Sequence, residues 1–123
     1  MIPNKKTQTP SEKIQLMLRD IKTIIERKGN YIVLLGGIRA VEKIAKQEGL
    51  KVPDEIPDLR KKAYAIQSQE LIESARYNIE TLKEPNYAKG ILKSAEAYAK
   101  KAGLSVPKEV SDLRELADKA LNG

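Results

Sequence analysis

The sequence predicts an all-α fold of six helices, arranged as two tandem three-helix repeats that form one helical bundle or a short superhelix. Three observations lead there. Apolar residues recur at helical spacing through most of the chain, and only one run also reads as a strand. Glycine or proline punctuates most of the stripes. A fifteen-residue segment, Gly49 to Ala63, recurs without gaps as Gly103 to Ala117, with nine identical positions. Self-similarity of that kind marks the duplication of a helical unit of about 55 residues.

Residues 1–8 are expected to form a flexible arm, followed by a first helical repeat over 9–67 and a second over 68–123. The first helix opens on Thr9 as N-cap, with Pro10 at the first helical position and Glu12 completing a capping box. Ile14, Met17, Leu18, Ile21, Ile24 and Ile25 supply its apolar stripe, and Gly29 stops it. Asn30 caps a second helix with Tyr31, Leu34, Ile38, Val41 and Ala45 on one face, ending at Gly49. The run from Tyr31 to Leu35 is the one that also reads as a buried strand, since Gly36 and Gly37 each cost about 1 kcal/mol in a helix. It has no second strand to pair with, so a helix is expected, its glycines allowing a close crossing.

After Pro53, a third stripe runs through Ile56, Leu59, Ala63 and Ile66. Its continuation falls on Glu70 and Glu73, whereas the next apolar set is Ile72, Ala75, Ile79 and Leu82. This change of phase predicts a break at Gln67-Ser68-Gln69, with Ser68 capping a fourth helix. Pro85-Asn86 introduces a fifth, with Tyr87, Ile91, Ala95, Tyr98 and Ala102 on its face and Gly103 at its end. The sixth begins near Pro107 and buries Val110, Leu113, Leu116, Ala117, Ala120 and Leu121.

The repeated loop has a structural rationale. Gly49 and Gly103 suit a left-handed C-cap, with Leu50 and Leu104 expected to pack back onto the helix they end. Pro53 and Pro107 restart a helix, where the missing N–H costs nothing. Asp58 and Asp112 then complement the helix dipole. At the same offset Gly36 meets Gly90, Glu42 meets Glu96, Ala45 meets Ala99 and Lys46 meets Lys100.

Composition removes whole classes of chemistry. The 123 residues contain no Cys and no His. Thiolate nucleophiles, disulfides, histidine general bases and Cys or His metal sites are therefore excluded. Gly36-Gly37 has neither the Walker nor the dinucleotide spacing. No catalytic residue, metal or cofactor is expected, and the chain is not expected to be an enzyme. The longest apolar run, Tyr31 to Ile38, has 8 residues, too few to span a membrane. With no apolar stretch of secretory type at the start, a cytoplasmic location is expected.

Charge is the remaining lead. The net charge is +6, and residues 1–62 hold 14 basic against 8 acidic side chains while residues 63–123 hold 9 of each. A basic half points to an anionic partner. Arg39, Lys43 and Lys46 fall on the polar side of the second helix, beside Lys22 and Lys28 of the first helix region. Lys51, Arg60, Lys61 and Lys62 surround the first repeated loop, and Tyr31 and Tyr64 are near enough in sequence to stack on bases. The second copy has Glu115 and Leu116 in place of Lys61 and Lys62, so the surface is expected mainly on the first repeat.

Two local resemblances accompany this reading. Ala99-Lys100-Lys101-Ala102-Gly103-Leu104-Ser105 followed by Val110, Ser111 and Leu113 resembles a DNA-binding helix-turn-helix. Tyr87 to Ala120, with Ala95-Glu96-Ala97-Tyr98-Ala99-Lys100-Lys101-Ala102-Gly103-Leu104 and Ser111-Asp112-Leu113-Arg114-Glu115-Leu116, looks like the helical hairpin of HEPN-type domains. The latter resemblance implies a small α-bundle. The ribonucleases among such domains use an Arg followed by a His, so that chemistry does not carry over to a chain without His.

The function expected is thus a non-catalytic domain that binds nucleic acid, DNA or RNA, through a basic surface. The alternative is a protein-interaction or self-association module with no nucleic-acid role.

Overall fold

The structure, a computed structural model, describes residues 8–123. The arm expected over residues 1–8 lies, Gln8 apart, outside the described residues. Five α-helices follow one another: α1 (Pro10–Glu26), α2 (Tyr31–Gln47), α3 (Ile56–Glu80), α4 (Pro85–Lys101) and α5 (Lys108–Asn122). The described residues contain no strand. The chain divides into two compact units, Met1–Arg60 and Lys61–Gly123.

The expectation of six helices is therefore corrected to five. No break occurs at Gln67-Ser68-Gln69, because α3 continues through it as one helix of 25 residues. The apolar stripe does change phase there. Ile56, Leu59 and Ala63 are buried near one end, and Ser68, Ile72, Ala75 and Ile79 near the other. The two sets are turned by roughly 160° about the helix axis. A phase change in a pattern does not require a break in the backbone when each end of the helix serves a different cluster. Ser68 caps nothing; it is 4% exposed, and its hydroxyl donates to the carbonyl of Ala95 at 2.7 Å.

Local rules account for the helix ends. Glu12 N–H donates to Thr9 Oγ1 at 3.1 Å, and Thr9 N–H donates to Glu12 Oε1 at 2.9 Å, closing the capping box. Asn30 Oδ1 accepts from the N–H groups of Ile32 and Val33 at 2.7 and 3.2 Å, so the ambiguous run after it is helical. Gly49 and Gly103, with φ of +66° and +76°, make the left-handed turns expected of them. Leu50 and Leu104 N–H close those turns onto the carbonyls of Ala45 and Ala99. Their side chains, however, are 39% and 53% exposed, so they do not pack back as expected.

The end of α1 also differs from expectation. Lys28, not Gly29, takes the positive φ, at 53°. Gly29 is required for another reason: a Cβ there would lie 2.6 Å from Ile24 Cγ2. The close crossing expected of Gly36 and Gly37 belongs to Gly37 alone, where a Cβ would meet Ile21 Cγ1 at 3.1 Å. Gly36 faces open space.

An offset of 54 positions maps most buried residues onto buried residues. Leu18, Ile38, Val41, Ala45, Ile56, Leu59 and Ala63 correspond to Ile72, Leu92, Ala95, Ala99, Val110, Leu113 and Ala117, all buried. By this correspondence α1 matches the second half of α3, α2 matches α4, and the start of α3 matches α5. In the second unit, Ile72, Ala75, Ile79, Ala88, Leu92, Ala95, Val110, Leu113 and Ala117 form one apolar cluster.

Candidate nucleic-acid interface

Two inter-element ion pairs are repeated at the same offset. Lys22 Nζ lies 2.7 Å from Glu55 Oε2, and Arg76 Nη2 lies 2.6 Å from Glu109 Oε2. Arg60 Nη2 lies 2.5 Å from Glu42 Oε1, and Arg114 Nη2 lies 3.1 Å from Glu96 Oε2. These cations serve the fold. The Glu109 carboxylate, then Glu73, raises the pKa of Arg76. Arg114, against a smaller effect of burial and with help from Lys100, holds Glu96 below the ordinary glutamate value.

That bookkeeping sorts the nine sequence-derived candidates. Arg60 is committed to Glu42, and Lys51 forms an exposed pair with Asp54 at 3.2 Å. Arg39, Lys43 and Lys46 are exposed on α2 at i, i+4 and i+7, hence on one face, and none makes an ion pair among the described residues. The only acidic residue of α2, Glu42, is held by Arg60. Tyr31 is half-buried at the first position of α2.

Lys61, Lys62 and Tyr64 belong to the second unit. The Lys61 side chain passes 3.8 Å from where a Gly103 Cβ would stand. The ring centroids of Tyr64 and Tyr98 are 6.0 Å apart, and Lys101 Nζ sits 5.6 and 5.3 Å from them. Such a cation over two rings is an electrostatic contact of the ring quadrupoles. Tyr64 is thus engaged by Tyr98 and Lys101 within its own unit. Lys62 is exposed on α3 and has partners of its own.

Assigning Lys61 and Lys62 to the second unit also redistributes the charge. Residues 1–60 hold 12 basic and 8 acidic side chains, and residues 61–123 hold 11 and 9. Both units are basic. Sequence reasoning passed over Lys93, Lys100 and Lys101 of α4, all exposed. The available signal was the repeat itself, since Lys93 and Lys100 stand 54 positions after Arg39 and Lys46.

Among the described residues no group of three or more His, Cys, Asp or Glu side chains is placed to hold a metal ion. No helix formed by them is long and apolar enough to cross a membrane. Comparisons with protein-family models, with curated proteins and with solved structures gave no match.

Proposed function

We propose that this chain is a non-catalytic helical domain that binds nucleic acid through a basic surface, in a cytoplasmic setting. One contrast supports this reading. Lys22, Arg60, Arg76, Lys89 and Arg114 are each drawn onto a carboxylate elsewhere in their own unit. Arg39, Lys43 and Lys46 form a row on one helix face without such a counter-ion. Cations arranged so are available to phosphates, which dominate nucleic-acid affinity.

Fluorescence anisotropy with labelled single-stranded DNA, duplex DNA and RNA, titrated between about 50 and 200 mM salt, tests the proposal. Expected is binding that weakens steeply with salt, and a shallower slope when Arg39, Lys43 and Lys46 are changed to Gln. Absence of binding to all three probes at the lower salt would overturn it. Arg60 is left out of this variant because its loss would strand Glu42.

A second reading is favoured by the exposure of Ile32, at 75%, next to exposed Val33 on the first turn of α2. That apolar tip suits self-association, which sedimentation of the wild type against Ile32→Gln would detect as a shift from dimer to monomer.

A further inference from the structure

The duplication keeps more than the fold. Residues that recur in the core or in the two repeated ion pairs are explained by packing and charge pairing. Among the positions that recur on the surface are Gly36 and Gly90, Arg39 and Lys93, and Lys46 and Lys100. At 3.6 residues per turn, each set falls on one side of its helix, the second cation following the first by about two turns. One acid stands between the two cations of each set, and in each case an arginine draws on it. Glu42 and Glu96 are the only acids of α2 and α4, and both are engaged by an arginine of the same unit.

The glycines are the informative part. A Cβ at Gly36 or Gly90 would meet nothing within 4 Å. Neither is required by the packing, yet a mid-helix glycine weakens the helix that contains it. An exposed glycine beside cations that are unpaired or only loosely paired leaves the helix backbone open to close approach by a bulky anion. Lys93 makes no ion pair among the described residues. Lys100 is only loosely tied, 3.4 Å from a Glu96 carboxylate that Arg114 also holds.

We infer that each unit carries its own equivalent contact face for the phosphate backbone of nucleic acid, Gly36–Arg39–Lys46 on α2 and Gly90–Lys93–Lys100 on α4. The chain is then a two-site binder rather than a one-patch binder. This rests on the proposed function and extends it. Linking two weak faces in one chain raises the overall affinity through effective concentration, with no new contact.

The test compares Arg39→Gln/Lys46→Gln with Lys93→Gln/Lys100→Gln by anisotropy on labelled single-stranded and duplex DNA and on RNA, with circular dichroism as the control for folding. Each pair is expected to lower the salt slope by about two, and all four changes together to leave little binding. Gly36→Gln and Gly90→Gln retain every charge and favour the helix, so each is expected to weaken binding while raising the melting temperature. If Lys93→Gln/Lys100→Gln and Gly90→Gln leave affinity and slope unchanged while the α2 variants lower them, the two-site inference is overturned and the proposed function stands. If the wild type binds none of the probes, both are overturned.

Discussion

The Ser68 hydroxyl donates to the Ala95 carbonyl at 2.7 Å from the interior of an uninterrupted helix. The corresponding residue of the first unit, Ile14, is buried and apolar. A hydroxyl takes this place in the second core only because a helix carbonyl on α4 receives it. Ser68→Ala is expected to cost about 1 kcal/mol. Gln69→Pro, at an exposed position of the same turn, is expected to cost about 3 kcal/mol or more, because α3 has no break there to absorb a proline. Urea denaturation of both variants measures this; an unchanged midpoint for Gln69→Pro would contradict the continuous helix.

The glycines within and between the helices divide into two kinds. Gly36→Ala and Gly90→Ala introduce a methyl into open space and are each expected to stabilise by about 1 kcal/mol. Gly37→Ala presses on Ile21 Cγ1, and Gly29→Ala collides with Ile24. Thermal melts should rise for the first two, show little or no gain for Gly37→Ala and fall for Gly29→Ala. A gain at Gly29 would mean that the end of α1 is built differently.

Lys28 and Lys83 hold φ of 53° and 58° at the ends of α1 and α3, a conformation that disfavours any residue with a Cβ. Lys28→Gly and Lys83→Gly are expected to stabilise by up to about 1 kcal/mol. Gly49→Ala and Gly103→Ala place a Cβ in the same region and are expected to destabilise by about 1 kcal/mol. The four melting temperatures should separate by sign.

Glu96 is depressed chiefly by the Arg114 guanidinium, and Glu12 by the Thr9 N–H and then its hydroxyl. A carboxylate with a lowered folded-state pKa contributes stability that is complete above its ordinary value and is lost as pH falls through the depressed one. The wild type should therefore lose stability in acid below the usual glutamate range. Arg114→Met should show a flatter acid limb in urea midpoints measured against pH. An identical limb in that variant would place the titration elsewhere.

Much of the fold was legible because it obeys local rules. Thr9 with Glu12, Asn30, and Gly49 with Gly103 each announce a helix end through chemistry that involves neighbours in sequence. Ser68 misleads for the opposite reason. A small polar residue at an apolar phase reads as a cap, and the partner that explains it, Ala95, is 27 residues away. Lys28 was unreadable as the left-handed residue because Gly29, beside it, is the better candidate by propensity. The site is legible to a similar degree. Cations can be counted in a sequence, but Arg60 leaves the count of available charges only once Glu42 is seen beneath it. Arg39, Lys43 and Lys46 remain in it because the one acid of α2, Glu42, is held by Arg60. The proposed second face, at Lys93 and Lys100, could be read from the repeat but was hidden by a charge tally drawn two residues beyond the unit boundary.

The passage of α3 from one unit into the other makes the duplicated halves a poor pair of modules. Cutting the chain between Arg60 and Lys61 would sever a helix and leave each fragment with a frayed end carrying core residues, Ile56 and Leu59 on one side and Ala63 on the other. Local opening should follow the same logic. A fluctuation that melts the start of α3 shortens the helix on which Ile72 and Ile79 stand, so hydrogen exchange should show the two units opening with linked rather than separate free energies. Linked opening of that kind would make the two copies of the repeat, joined by one unbroken helix, a single cooperative object.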